Sequence, residues 1–133
     1  MTHKVVLDTS ALVAYWRREP GAERVHECLR RGGCVMHEVN VSEICFTLPR
    51  KLPERFNRES ARVMLEVVGV ITVSDFGPKW ADAAADIRLK THALNFGDGI
   101  AVALAAHLGI PLMTTEKSFL GAAGSIGFRP LQG

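Results

Sequence analysis

Short apolar runs alternate along this chain with longer segments of helical periodicity, and this alternation constrains the fold more than any other feature. The spacing of apolar residues predicts helices at residues 10–17, 22–31, 41–48, 58–68, 78–90 and 98–108. The apolar runs predict strands at residues 5–7, 34–36, 70–73 and 110–114, with a last edge strand at 126–128. We therefore predict an α/β fold with a short central parallel sheet, right-handed crossovers and helices on both faces.

Length and composition narrow the class of protein. A chain of 133 residues can bury a sizeable core, and we predict a single domain over residues 1–133. The longest apolar stretch, residues 100–108, is too short to span a bilayer, and no secretory apolar segment is seen at the N-terminus. We expect a cytoplasmic protein with no membrane association. Cys28, Cys34 and Cys45 have neither an even count nor C-x-x-C spacing, so we expect reduced core residues.

The charge distribution leaves two interpretations open. The net charge is only +2, which does not by itself predict a nucleic-acid partner. Cations are concentrated in the first half, at Arg17, Arg18, Arg24, Arg30, Arg31, Arg50, Lys51, Arg55, Arg58 and Arg62. Glutamates interleave with them, at Glu19, Glu23, Glu27, Glu54, Glu59 and Glu66. The pattern fits a phosphate-contacting face and also fits ordinary solvated helices.

Four acidic residues stand where apolar runs meet polar breaks: Asp8, Glu43, Asp98 and Glu116. A carboxylate among apolar neighbours costs free energy unless it is paired, hydrogen-bonded or bound to a cation. Asp8 and Glu116 follow predicted strands, and the carboxyl ends of parallel strands form the ligand crevice of such sheets. If the four acids converge, they predict a site for a divalent cation with oxygen ligands.

Three of the four acids also have a structural interpretation. Asp8 could cap the helix predicted from Ser10. Asn40 followed three residues later by Glu43 is similar to a capping box, and Asp98 could cap its own helix.

Aromatic and histidine residues contribute less to the prediction. Tyr15 and Trp16 lie just after Asp8 and could stack a base, but aromatic residues at helical spacing are more often core residues, so we leave them out of the site. The histidines show no paired metal-ligand spacing.

Four segments together resemble the PIN-domain nucleases, in particular the small VapC-type toxins of prokaryotic toxin–antitoxin pairs. They are VLDTSAL at 6–12, VNVSEI at 39–44, LNFGDGIA at 94–101 and IPLMTTEKSF at 110–119. The resemblance covers essentially the whole chain, and the first and third segments are the more specific. It implies a single PIN-like domain with metal-dependent endoribonuclease activity.

The resemblance also implies roles for individual residues. Asp8, Glu43, Asp98 and Glu116 match the acidic quartet of the family, and Ser10, Asn40 and Thr114 match its polar supporting positions. Asp8 and Asp98 are expected as central ligands of Mg²⁺, for which Mn²⁺ could substitute, and Glu43 as a ligand or water-orienting base. The fourth acid is usually Asp in this family, and the longer Glu116 is expected to act as an outer ligand.

The implied partners are an RNA substrate, a second copy of the chain in a homodimer, and a cognate VapB-type antitoxin that could insert an arginine into the acidic pocket. Unpaired RNA is the expected substrate, because it exposes backbone and bases. Two alternatives remain. One is a catalytically silent PIN-like module that binds RNA or protein. The other, a receiver-type phosphoacceptor, is weaker, because such a domain needs an early acidic pair and a phosphoacceptor Asp after a central strand, whereas Asp8 stands alone and Asp75 lacks the accompanying residues.

Overall fold

The computed structural model describes residues 3–92, 94–116 and 130–132, which form a three-layer α/β domain. The helices are α1 (Thr9–Arg17), α2 (Ala22–Arg31), α3 (Glu38–Lys51), α4 (Arg58–Val67), α5 (Pro78–Lys90) and α6 (Phe96–Leu108). The strands are β1 (Val5–Leu7), β2 (Cys34–His37), β3 (Ile71–Val73), β4 (Leu112–Thr114) and β5 (Pro130–Gln132). All neighbouring strands are parallel, in the order β3-β2-β1-β4-β5, so the predicted α/β fold is confirmed.

Helices cover both faces of the sheet. Successive residues of a strand point to opposite faces, so the apolar residues of one strand contribute to two separate cores. Leu7 and Met36 pack into one core with residues of α1, α2, α3 and α4. Val6, Val35 and Leu112 pack into a second core with residues of α5 and α6. The central strand β1 is fully buried between these layers. Its carboxyl end therefore opens onto a sheltered edge of the sheet, where the candidate site lies.

Helix α3 is longer at both ends than the predicted segment 41–48. It begins at Glu38 because the His37 ring nitrogen Nδ1 accepts a hydrogen bond from the Val39 amide at 3.1 Å. It continues through Pro49, beyond the predicted end at residue 48. The proline has no amide to bond to the Cys45 carbonyl. The helix nevertheless continues for two residues beyond it, and the Leu52 amide bonds to the Leu48 carbonyl at 2.7 Å.

Other boundaries shift by one or two residues. Helix α6 begins at Phe96 instead of 98, because Asn95 caps it, and β3 and β4 begin later than predicted. The predicted edge strand at 126–128 lies outside the described residues, while β5 pairs with β4. The three cysteines are free, and two of them are buried. Within the described part of the chain, no helix is long and apolar enough to cross a membrane.

Candidate active site

A cavity of about 510 Å³ opens at the carboxyl ends of β1 and β4. Its lining residues are Asp8, Thr9, Ser10, Val13, Glu19, Glu43, Thr47, Lys51, Asn95, Asp98, Thr115 and Glu116. The fold thus brings the four predicted acids to one cavity, although they come from β1–α1, α3, α6 and the segment after β4.

Asp8 follows β1 and is 3% exposed. Its Oδ1 accepts hydrogen bonds from the Ala11 amide and the Ser10 hydroxyl, both at 2.9 Å, and its Oδ2 accepts one from Thr114 Oγ1 at 2.6 Å. Burial raises the pKa of Asp8 to about 6, against the lowering effect of these donors, and the nearby charge of Asp98 raises it further. Asp8 is both the cap of α1 and a wall of the cavity, so the structural and functional interpretations do not exclude each other.

Ser10 and Thr114 hold Asp8 in place through a network that joins α1 to β4. Their hydroxyl oxygens are 3.2 Å apart, and both contact the Asp8 carboxylate. The network extends into the chain after β4. There, Ser10 Oγ accepts the Thr115 amide at 3.2 Å, and Thr114 Oγ1 accepts the Glu116 amide at 2.9 Å. Both hydroxyls therefore restrain the carboxylate and the segment that carries the fourth acid.

Glu43 projects from α3 and is held by Asn40. The Asn40 amide Nδ2 donates to Glu43 Oε1 at 2.7 Å and to the Gly97 carbonyl at 3.0 Å, while Thr9 Oγ1 donates to the same Oε1 at 3.3 Å. Asn40 lies inside the first turn of α3, so the capping-box interpretation of Asn40 and Glu43 is wrong. The Asn40 side chain ties Glu43 to α6 instead, and its buried Oδ1 has no hydrogen-bond partner in the described part of the chain.

Gly97 makes room for the Glu43 carboxylate. A Cβ atom at this position would lie 2.5 Å from both carboxylate oxygens of Glu43, far inside contact distance. Because Gly97 has no side chain, the Glu43 carboxylate packs directly against the first turn of α6.

Asp98 is the third residue of α6 and belongs to a capping box with Asn95. The Asn95 amide donates to Asp98 Oδ2 at 3.0 Å, and the Asp98 amide donates to Asn95 Oδ1 at 2.8 Å. Burial raises the pKa of Asp98 above its ordinary value, and the charges of Glu43 and Glu116 raise it further, while the Asn95 amide lowers it. Like Asp8, Asp98 caps a helix and lines the cavity.

Glu116 stands at the exposed rim of the cavity. Its amide is held by Thr114 Oγ1, and its charge acts on Asp98. Among the described residues, no donor bonds to its carboxylate. The role of Glu116 as an outer ligand stays a prediction.

The cavity offers the oxygen ligands that Mg²⁺ and Mn²⁺ prefer. Within the residues that the structure describes, no three carboxylate, imidazole or thiolate groups lie close enough together to bind one ion directly. Mg²⁺ usually keeps several waters and takes one or two carboxylates together with substrate phosphates. The donor set therefore fits a water-rich ion, and it does not fit a site closed by protein ligands alone.

Several lining residues were absent from the sequence prediction. Thr9 and Lys51 enter the cavity, and Gly97 shapes it. Thr9 and Gly97 stand in two of the four motif segments, beside Asp8 and Asp98, and that adjacency was the available signal. Lys51 had no such signal, because only the length of α3 brings it there.

Asp75, the acid of the phosphoacceptor alternative, does not line the cavity, and its Oδ2 accepts the Trp80 indole N–H at 3.2 Å.

A protein-family model described as "PIN domain" matches residues 5–124. A search of curated proteins finds no match for the chain.

Solved structures have a similar fold. PAE2754 from Pyrobaculum aerophilum is 19% identical over 92% of this chain and 87% of that chain, with a TM-score of 0.66. DNA-bound VapBC from Salmonella typhimurium is 17% identical over 99% and 98%, with a TM-score of 0.65. VapBC2 from Rickettsia felis, bound to a promoter DNA fragment, is 13% identical over 97% and 98%, with a TM-score of 0.65.

Proposed function

Because the chain belongs to the PIN domain family, we propose that it is a metal-dependent endoribonuclease that cleaves RNA phosphodiesters as the toxin of a toxin–antitoxin pair. One observation carries the proposal. Four carboxylates that are distant in sequence line one cavity, and burial raises the pKa of Asp8 and of Asp98 there. Such a concentration of acids is unfavourable without positive charge, and a divalent cation supplies it.

We assign Asp8 and Asp98 as the residues that would hold Mg²⁺ or Mn²⁺, with Glu116 contacting the ion through water. The chemistry that a bound ion supplies is activation of a water and stabilisation of the charge on the phosphate and the leaving oxygen. Glu43 is suited to orient that water and accept its proton, because both donors within the described residues bond to Oε1 and leave Oε2 available. Asn40, Ser10 and Thr114 position these carboxylates.

The proposal includes the partners. RNA enters as the phosphodiester substrate, and a cognate VapB-type antitoxin places a cation among the acids, so inhibition and loss of metal are one event. The similarity of fold to VapBC structures supports this partner, and we extend the proposal to a homodimer acting in the cytoplasm on cellular RNA.

A cleavage assay tests the proposal. The purified protein should cleave cellular RNA with Mg²⁺ or Mn²⁺, lose activity in chelator, and regain it when metal is restored. Asp98→Asn should abolish cleavage without unfolding the protein. Asp82→Asn is the matched control, because Asp82 is an exposed acid on α5 that does not line the cavity. Cleavage that persists in chelator or in Asp98→Asn would overturn the mechanism.

The silent binding module remains the second candidate, because Asp8 and Asp98 already serve as helix caps. That function predicts RNA or protein binding that survives Asp98→Asn, with no turnover by the wild-type protein at any metal concentration. The same assay, run beside a binding measurement, separates the two.

A further inference from the structure

A second cavity lies beside the acidic one, at the corner between α1 and α2. Its volume is about 810 Å³, and its lining residues are Tyr15, Arg18, Glu19, Pro20, Gly21, Ala22, Glu23, Arg24 and His26. Glu19 lines both cavities, so the two are neighbours on one surface. The corner is sharp because Arg18 and Gly21 adopt left-handed backbone angles, with φ of 55° and 98°. We refer to this second cavity as the corner groove.

Two rings stack on each other in the corner groove. The rings of Tyr15 and His26 are stacked, with centroids 6.0 Å apart and planes inclined by only 11°. Tyr15 is half-buried and packs against the core, which holds its ring in place, while His26 is exposed. Trp16 behaves differently, because it is 7% exposed and packs edge-on against Phe56. The structure therefore divides the two aromatic residues after Asp8 into a surface residue and a core residue.

The charges in the corner groove nearly balance. Arg18 and Arg24 line the groove and carry positive charge, and neither forms an ion pair with a described residue. Glu19 is paired with Arg17 at 3.4 Å, and Glu23 is exposed. A surface with this balance is a weak site for a phosphate, which needs net positive charge. It suits an uncharged nucleobase, whose face can stack on rings and whose amino groups can donate to a carboxylate.

We infer that the corner groove is a nucleobase-binding subsite, in which one base of single-stranded RNA stacks on the exposed His26 ring, which Tyr15 supports from behind, while a phosphodiester of the same strand lies in the acidic cavity. This inference rests on the proposed function, and it adds a substrate contact outside the acidic quartet. The shared wall at Glu19 lets one strand occupy both cavities. The volume lies within the range of about 300–1,000 Å³ that small-ligand sites occupy.

The test uses steady-state cleavage of a mixed-sequence oligoribonucleotide in Mg²⁺. His26→Ala is the main variant, because His26 is exposed and its loss should not affect folding. Tyr15→Leu removes the second ring but keeps an apolar side chain. Arg30→Ala is the matched control on α2, since Arg30 is exposed, pairs with Glu27 and does not line the groove.

We expect both ring variants to raise KM by about fivefold or more, as loss of one base–aromatic stack should, with kcat almost unchanged. The control should leave both constants unchanged.

Each outcome has one meaning. Wild-type protein that cleaves no RNA would overturn the proposed function and this inference with it. Wild-type cleavage with unchanged KM in His26→Ala and Tyr15→Leu would overturn the subsite alone. The same follows if the variants impair only binding of a protein partner, because the groove would then be a protein-docking surface.

Discussion

Replacing Asp8 by asparagine should stabilise the metal-free protein and weaken its metal site. Asp8 is 3% exposed, and burial raises the pKa of its carboxyl from 3.8 to about 6 despite three hydrogen-bond donors. A tenfold change in an ionisation constant corresponds to about 1.4 kcal/mol, so ionising Asp8 costs roughly 3 kcal/mol more in the folded protein than in the unfolded chain. Asparagine carries no charge and avoids this cost.

The sign of the pH dependence follows from the raised pKa. The folded protein retains a proton on Asp8 between about pH 4 and pH 6, where the unfolded chain has lost it. The Asp8 contribution to the free energy of unfolding therefore falls as pH rises through this window and is constant above it. The asparagine oxygen can still accept the Ala11 amide, and the hydroxyls of Ser10 and Thr114 can accept from its amide. We expect Asp8→Asn to be about 1–3 kcal/mol more stable at about pH 7.5 in chelator, and to lose most of this gain at about pH 4.5.

Urea unfolding measures this difference, with the fluorescence of the buried Trp16 and Trp80 as the signal. Magnesium should reverse the order of stability of the two proteins. A ligand at about 100 times its Kd adds about 2.7 kcal/mol to the free energy of unfolding of the protein that binds it. The wild type should gain this stability and the asparagine variant much less. Asp82→Asn should change little at either pH. The reasoning is refuted if Asp8→Asn is less stable than the wild type in chelator at neutral pH, or if its gain is the same at both pH values.

Three further predictions concern the other parts of the site. Gly97→Ala should push the Glu43 carboxylate away and reduce kcat at least tenfold with little change in unfolding free energy; full activity would show that the carboxylate has room to move. Thr114→Val should lower stability by about 1–3 kcal/mol in urea titrations at neutral pH, since a buried carboxylate loses a donor; an unchanged midpoint would contradict this. Calorimetric titration with Mg²⁺ should show a smaller loss of affinity in Glu116→Gln than in Asp98→Asn, and equal losses would make Glu116 a full ligand.

The fold could be predicted from the sequence because its signals are local. Apolar runs such as Val5–Leu7 identify buried strands, and helical spacing identifies most helices to within a residue or two. The predicted bounds of α3 were wrong because they also rested on local signals. A proline and a plausible capping pair suggested a shorter helix, but the cap comes from His37, and the helix continues through Pro49 to Lys51.

The site could be predicted only as a set of candidates. The acids were recognisable because Asp8, Glu43, Asp98 and Glu116 each lie in one of the four motif segments. The structure places all four on the same cavity. Their individual contacts were not recognisable. Whether Asn40 caps a helix or ties Glu43 to Gly97 depends on how α3 packs against α6. Asn40 and Gly97 are 57 positions apart in the chain.

The sequence by itself determined the alternation of strands and helices, the residues of the core and the identity of the four acids. Backbone dihedral preferences and burial patterns depend on residues that are close together in the chain. Tertiary structure alone decided that these acids share one cavity. The order of the sheet places β4 beside β1, so Thr114 contacts Asp8 across 106 positions of the chain. It also decided that Tyr15 stacks at the surface while Trp16 fills the core, because packing partners such as His26 and Phe56 come from other elements.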